Sequence, residues 1–145
     1  MKTAAGFVLL CSLFATGCGG GGGGSGNQLP DRVTHSIIGT WEHVYPATQC
    51  TESNQFTQNG EFAGQALDEV ISGSYTFEET VPRGERHELA ILVLEDNEQA
   101  DCFGRNTNSV GRSVTVFVSF NSPDSIEFYS GKTGGELIID FVRVD

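Results

Sequence analysis

Ile37-Ile38-Gly39-Thr40-Trp41-Glu42-His43-Val44-Tyr45 decides the fold of this chain. Ile37, Gly39, Trp41, His43 and Tyr45 occupy the odd positions, and Thr40, Glu42 and Val44 fall between them. Successive side chains of an extended strand point to opposite faces. The stretch therefore predicts a strand with Trp41 turned toward a core. Working outward, similar segments recur with turn chemistry between them, which predicts an all-β sandwich or barrel. Ser53–Gln58 is a weaker strand, and Asn59-Gly60 is a strong hairpin signal leading into Glu61–Ala66. Val70–Glu78, His87–Glu95, Ser113–Phe120, Ser125–Ser130 and Glu136–Val144 complete a set of eight strands. A long polar loop is expected over Asp96–Arg112.

The amino-terminal region reads differently. Met1-Lys2-Thr3 precedes an apolar run from Ala4 to Ala15, which has the size of a signal-peptide core and is too short to span a bilayer. The run ends Phe14-Ala15-Thr16-Gly17-Cys18, which resembles the bacterial lipobox. That resemblance implies a lipoprotein signal peptide over residues 1–17, cleavage before Cys18, and acyl chains on Cys18. Several chains, at about 0.8 kcal/mol per buried CH₂, make an essentially permanent membrane anchor. Residues 19–24 are glycine, followed by Ser25-Gly26-Asn27, so residues 18–30 read as a lipidated cysteine and a flexible tether. Gly19 stands where an aspartate would retain a lipoprotein at the inner membrane. By resemblance to Gram-negative sorting, this implies the outer membrane.

Residues 31–145 are then one domain. The whole chain carries 8 Lys+Arg against 19 Asp+Glu, a net charge of −11, and cleavage removes only Lys2 from that balance. Such a surface repels phosphate, which argues against nucleic-acid partners. Cys50 and Cys102 are the cysteines left beside Cys18 and the signal's own Cys11. An even pair in an exported domain reads as one disulfide. Two free thiols or metal ligands are the competing reading, without a neighbouring CxxC or histidine cluster to support it. In an up-and-down barrel the strand ending at Tyr45 and the strand ending at Glu95 both run toward the same rim. Cys50 and Cys102 would therefore lie at that rim together.

Ile38-Gly39-Thr40-Trp41 resembles the Gly-x-Trp signature of lipocalins. The resemblance implies a small eight-stranded, up-and-down antiparallel barrel closed at one end by Trp41, with a basic residue of the last strand over its ring. Arg143 in Phe141-Val142-Arg143 is the candidate for that role. The chain is shorter than a typical lipocalin and lacks its C-terminal helix. Ser72-Gly73-Ser74-Tyr75 resembles the Ser-Gly-x-x-Tyr loop of small lipoprotein lysozyme inhibitors, although here Tyr75 follows Gly73 by two positions.

No catalytic constellation is apparent, and no cofactor or metal site is expected. His35, His43 and His87 lack metal-ligand spacing. No serine lies in Gly-x-Ser-x-Gly. The acidic run Glu95–Asp101 lacks the central glycine and spacing of an EF-hand and reads as a solvated loop. Two non-enzymatic functions remain. One is binding of a small apolar ligand inside the barrel, lined by Trp41, His43, Tyr75, Phe117 (or its neighbour Val116), Phe128 and Phe141. The other is a structural or protein-interaction module, for example an inhibitor-like barrel, acting through its rim loops and residues 96–112. The anchor is directly testable: Cys18→Ser should lose metabolic palmitate label and leave the membrane fraction, and a variant that keeps the label overturns the lipobox reading.

Overall fold

The computed structural model describes residues 31–145; the signal segment, Cys18 and the glycine tether lie outside the described residues. The elements are β1 (Arg32–Thr34), β2 (Gly39–Tyr45), β3 (Cys50–Phe56), β4 (Glu61–Ala66), β5 (Glu69–Phe77), β6 (Thr80–Pro82), β7 (His87–Asp96), β8 (Ser113–Ser122), β9 (Ser125–Tyr129) and β10 (Leu137–Arg143). Eight of them form a closed antiparallel barrel in the order β10-β2-β3-β4-β5-β7-β8-β9. Each strand pairs with its sequence neighbours in the barrel, and β10 returns to β2. The fold is thus all-β, as the strand spacing predicts, and is the eight-stranded, up-and-down barrel that the lipocalin resemblance implies, with one Cys50–Cys102 disulfide.

Two details depart from the sequence reading. β3 begins at Cys50 rather than Ser53, paired through Tyr45↔Cys50. Its polar residues mask the strand because Glu52 and Asn54 face inward, as a core strand's apolar residues usually do. The second departure is the ribbon of β1 and β6, paired Arg32↔Pro82 to Thr34↔Thr80 and separate from the barrel sheet. Strands of three residues leave almost no periodic signal.

The core runs through the barrel below the mouth. Ile37, Trp41, Phe56, Phe62, Leu89, Val116, Val118, Ile126, Phe128 and Phe141 form one buried cluster. Rings interlock within it: Phe56 lies 5.0 Å from Tyr75 and 5.4 Å from Phe62, and Phe128 lies 5.0 Å from Phe141. Full burial of each such side chain contributes about 1.5–3 kcal/mol.

Trp41 closes one end. It is completely buried, and its Nε1 donates to the Ile37 carbonyl at 2.8 Å. The Arg143 guanidinium lies 4.2 Å from its ring centroid and donates from Nη1 to the Ile38 carbonyl at 2.8 Å and from Nε to the Pro123 carbonyl at 3.2 Å. Gly39 makes room for it. A Cβ at Gly39 would collide with Arg143 Nη1, and its φ of +136° is one that side chains disfavour. The Gly-x-Trp spacing therefore has a local cause: glycine yields space to a guanidinium that lies over the tryptophan two residues on. Asp145 adds a clamp, accepting hydrogen bonds from Thr40 N and Thr40 Oγ1 at 2.7 Å each.

The same end holds a histidine pair. His87, 1% exposed, contacts the Glu78 carbonyl through Nδ1 at 2.7 Å. A carbonyl only accepts, so His87 Nδ1 carries the hydrogen and Nε2 is left as an acceptor. His35 Nδ1, 2.9 Å from that Nε2, then donates to it. His35 also stacks on Phe120 at 4.5 Å. Burial first, and the neighbouring His87 second, hold His35 below its ordinary value of 6.5.

Two outcomes follow from this end of the barrel. Gly39→Ala should lower the unfolding free energy by about 2–4 kcal/mol, from backbone strain and displacement of the guanidinium. The loss should be less than additive with Arg143→Ala, which removes the obstacle. Urea unfolding followed by the fluorescence of Trp41 measures both, and strict additivity would separate Gly39 from Arg143. The histidine pair gives a pH dependence. His35 takes up its proton more readily unfolded than folded, so its contribution is complete above about pH 6.5 and is lost as pH falls toward its lowered folded value. The melting midpoint should drop between pH 7.5 and 5.5, and His35→Gln, which keeps a donor but does not titrate, should flatten that drop.

Candidate functional site

The opposite end of the barrel is polar. The inward-facing ends of β2 to β5 supply Tyr45, Glu52, Asn54 and Glu69, and the loop after β7 supplies Asp101, Phe103 and Arg105. Together they line a cavity of about 160 Å³. Gly64 on β4 keeps it open, since a Cβ there would press on Phe62, Ile71 and Asn54 Oδ1.

Local bonding fixes the loop over the mouth. The Cys50–Cys102 disulfide ties it to the start of β3, with the two Cα atoms 5.6 Å apart. The Ala100 carbonyl accepts from Asp68 N at 3.2 Å and Glu69 N at 3.1 Å. Asn97 Oδ1 accepts from Val70 N at 2.9 Å, and Asn97 Nδ2 donates to the Asp68 carbonyl at 2.8 Å. The acidic residues read as solvated are largely occupied in holding turns. Asp96 accepts from Glu98 N and Ser109 N, each at 2.7 Å. Asp101 accepts from Phe103 N and Arg105 N at 2.9 Å and from Arg105 Nε at 2.8 Å. The Arg105 bond, above all, holds the Asp101 carboxyl below its ordinary range. Among the described residues, no group of three or more His, Cys, Asp or Glu is placed to hold a metal ion.

Among the described residues, Glu52 and Glu69 make no ion pair with a basic side chain. Glu52 accepts from Tyr45 Oη at 2.7 Å and from Asn54 Nδ2 at 3.1 Å. Burial, reinforced by the bond to Glu52 and the negative charges around it, pushes the Tyr45 hydroxyl far up, so it remains a donor. Glu69 is raised by burial first, then by the charges of Asp96, Asp101 and Glu52. Two aromatic rings stand at the rim. Tyr45 and Phe103 meet edge to face at 5.0 Å, and Phe103 is 57% exposed. The Arg105 guanidinium lies 4.9 Å from the Phe103 centroid.

The sequence-predicted residues divide between the two ends. Trp41 and Arg143 meet at the closed end, and Cys50 and Cys102 at the mouth. Phe128 and Phe141 are buried in the body of the barrel. Tyr75 packs against that core and donates from Oη to the Thr57 carbonyl at 2.6 Å. His43 lies between Phe141 and Tyr45, and its Nδ1 donates to the Asp140 carbonyl at 2.8 Å. Phe117 is a correction: strand alternation puts Val116 and Val118 in the core and Phe117 on the other face, opposite Glu88 and Tyr129. Ser72–Tyr75 lies within β5, as the strand reading of Val70–Glu78 expects. A register shift falls between Ser72 and Gly73, and Gly73 passes so close to the Leu92 carbonyl that no Cβ would fit.

Sequence reasoning missed Glu52, Asn54 and Glu69, whereas Asp101 and Arg105 fall within the loop 96–112 that it offers as a contact surface. A polar residue on an inward position carries no periodic signal, because it reads as the outer face of the strand. The nearest available clue was the proximity of the Cys50 strand to the Cys102 loop, which the disulfide joins. No protein-family profile, curated protein or solved structure matches this chain.

Proposed function

We propose that this chain is a lipid-anchored, non-enzymatic recognition protein of the cell envelope that binds its partner or ligand at the barrel mouth. The observation that carries this reading is the distribution of space inside the barrel. Below the mouth the interior is filled by interlocking apolar side chains. The space above them is about 160 Å³ and has the carboxylates of Glu52, Glu69 and Asp101 in its wall. Ligand pockets for apolar molecules run from about 300 to 1,000 Å³ with mostly apolar linings. Trp41, Phe128 and Phe141 therefore support the architecture better than they serve a guest.

The anchor fits the same reading. The described chain enters at Asp31 and passes through β1 and His35 to the Trp41 end. The loop braced by Cys102 lies at the other end. A protein held by Cys18 is joined to its anchor on the closed-end side of the barrel, opposite the mouth. The absence of catalysis in this proposal rests on how the reactive groups are committed. Cys50 and Cys102 are bonded to each other, and His35 and His87 are engaged together at the closed end.

Titration with an apolar fluorophore or a fatty acid, followed by energy transfer from Trp41, tests the choice. No saturable uptake at micromolar concentration is expected. Saturable binding that quenches Trp41 would restore an apolar ligand in the barrel interior.

A further inference from the structure

We infer that the mouth cavity is a binding site for an alkylammonium group, presented either by a small amine or by a lysine side chain. The inference deepens the mouth-recognition reading and rests on it.

The cavity offers acceptors in excess of donors. Asp101 is balanced by Arg105, whose guanidinium reaches it at 2.7 Å. Glu52 and Glu69 have no such partner, and among the described residues the Glu69 carboxylate makes no side-chain hydrogen bond or ion pair. Asn54 provides an independent observation. It is 8% exposed, with Nδ2 committed to Glu52 Oε1, while Oδ1 accepts nothing among the described residues and lies beside Gly64 on the cavity wall. That oxygen is open to the cavity and free to accept from a donor there. An ammonium group, with three donors and no acceptor, matches that inventory: one hydrogen to Asn54 Oδ1 and the others to Glu52 and Glu69. An anion would face the carboxylates of Glu52 and Glu69.

The walls agree with the charge. Tyr45 and Phe103 present rings at the rim, and a cation within about 6 Å of a ring centroid is attracted by it. Arg105 already holds that relation to Phe103, so this rim accommodates a cation. Size agrees too. A volume of 160 Å³ holds about five waters' worth of ligand, enough for the head and first methylenes of an alkylamine and too little for a sugar ring with its shell.

Butylammonium, Nα-acetyl-lysine methylamide, 1-butanol and butyrate are the probes, titrated into the protein by NMR. Both amines should bind, with shifts confined to the mouth residues. Butanol and butyrate should bind at least tenfold more weakly. Glu69→Gln should weaken the amines about tenfold without changing the environment of Trp41. Phe103→Ala, at an exposed position, should weaken them about threefold even if Glu69→Gln folds poorly. A lysine placed in an extended peptide tells the sources apart. Tighter binding than butylammonium assigns a protein partner, weaker binding assigns a small amine, and either supports the site. Equal affinity for butylammonium and butanol, or no amine shifts at the mouth, overturns the ammonium site. That result leaves the mouth-recognition reading to the apolar-fluorophore titration, which tests it separately.

Discussion

The guanidinium of Arg143 lying on the indole of Trp41 sets the geometry of the barrel. β10 and β2 share only two registered pairs, Val142↔Glu42 and Arg143↔Trp41, so the seam that turns a sheet into a barrel is short. Arg143 reinforces it by joining β10 to the approach to β2 through Ile38 and to the β8–β9 turn through Pro123. Every inward side chain above depends on that closure, because the tilt and register of eight strands around a closed ring are not independent of one another. Gly39 is the accommodating element: its missing side chain lets the cation settle against the ring.

The closed end and the mouth then divide the work between different forces. The body is apolar and interlocked, and hydrophobic burial stabilises it. The mouth gives up some of that stabilisation by placing Glu52, Asn54 and Glu69 on inward positions. The disulfide and the hydrogen bonds from Asn97, Ala100 and Asp101 offset the loss by holding the covering loop locally. Polar residues on an inward face cost stability, and their concentration at one rim is the pattern expected where binding rather than folding sets the residue types.

How much of this was legible in sequence follows from how each feature signals itself. The strand set was readable because Trp41, Val116, Val118 and Phe128 repeat with period two between unambiguous turns. The Cys50–Cys102 bridge was readable as an even cysteine pair in a domain expected to be exported, and parity agreed with it, since the first and fifth strands of the barrel end at the same rim. The Trp41–Arg143 pair was found by resemblance, and the structure supplies its cause in Gly39. Phe117 was ambiguous because a run of apolar residues on both faces leaves the phase open, and only pairing with Glu88 and Tyr129 settles it. The β1–β6 ribbon and the His35–His87 bond, the latter between residues 52 apart, arise through tertiary placement alone. The cavity was invisible for the same reason as β3: an inward glutamate is indistinguishable, residue by residue, from an outward one.

The short seam also dictates an order of events. Thr40 and Asp145 meet across 105 residues, and the contacts of β10 with β2 are nearly as distant in sequence. Loop closure over such distances comes late in folding, after the hairpins between sequence neighbours have formed. A chain with this topology stays an open, unfinished sheet until β10 has emerged. The wall therefore seals last, where the final strand of the barrel meets the first.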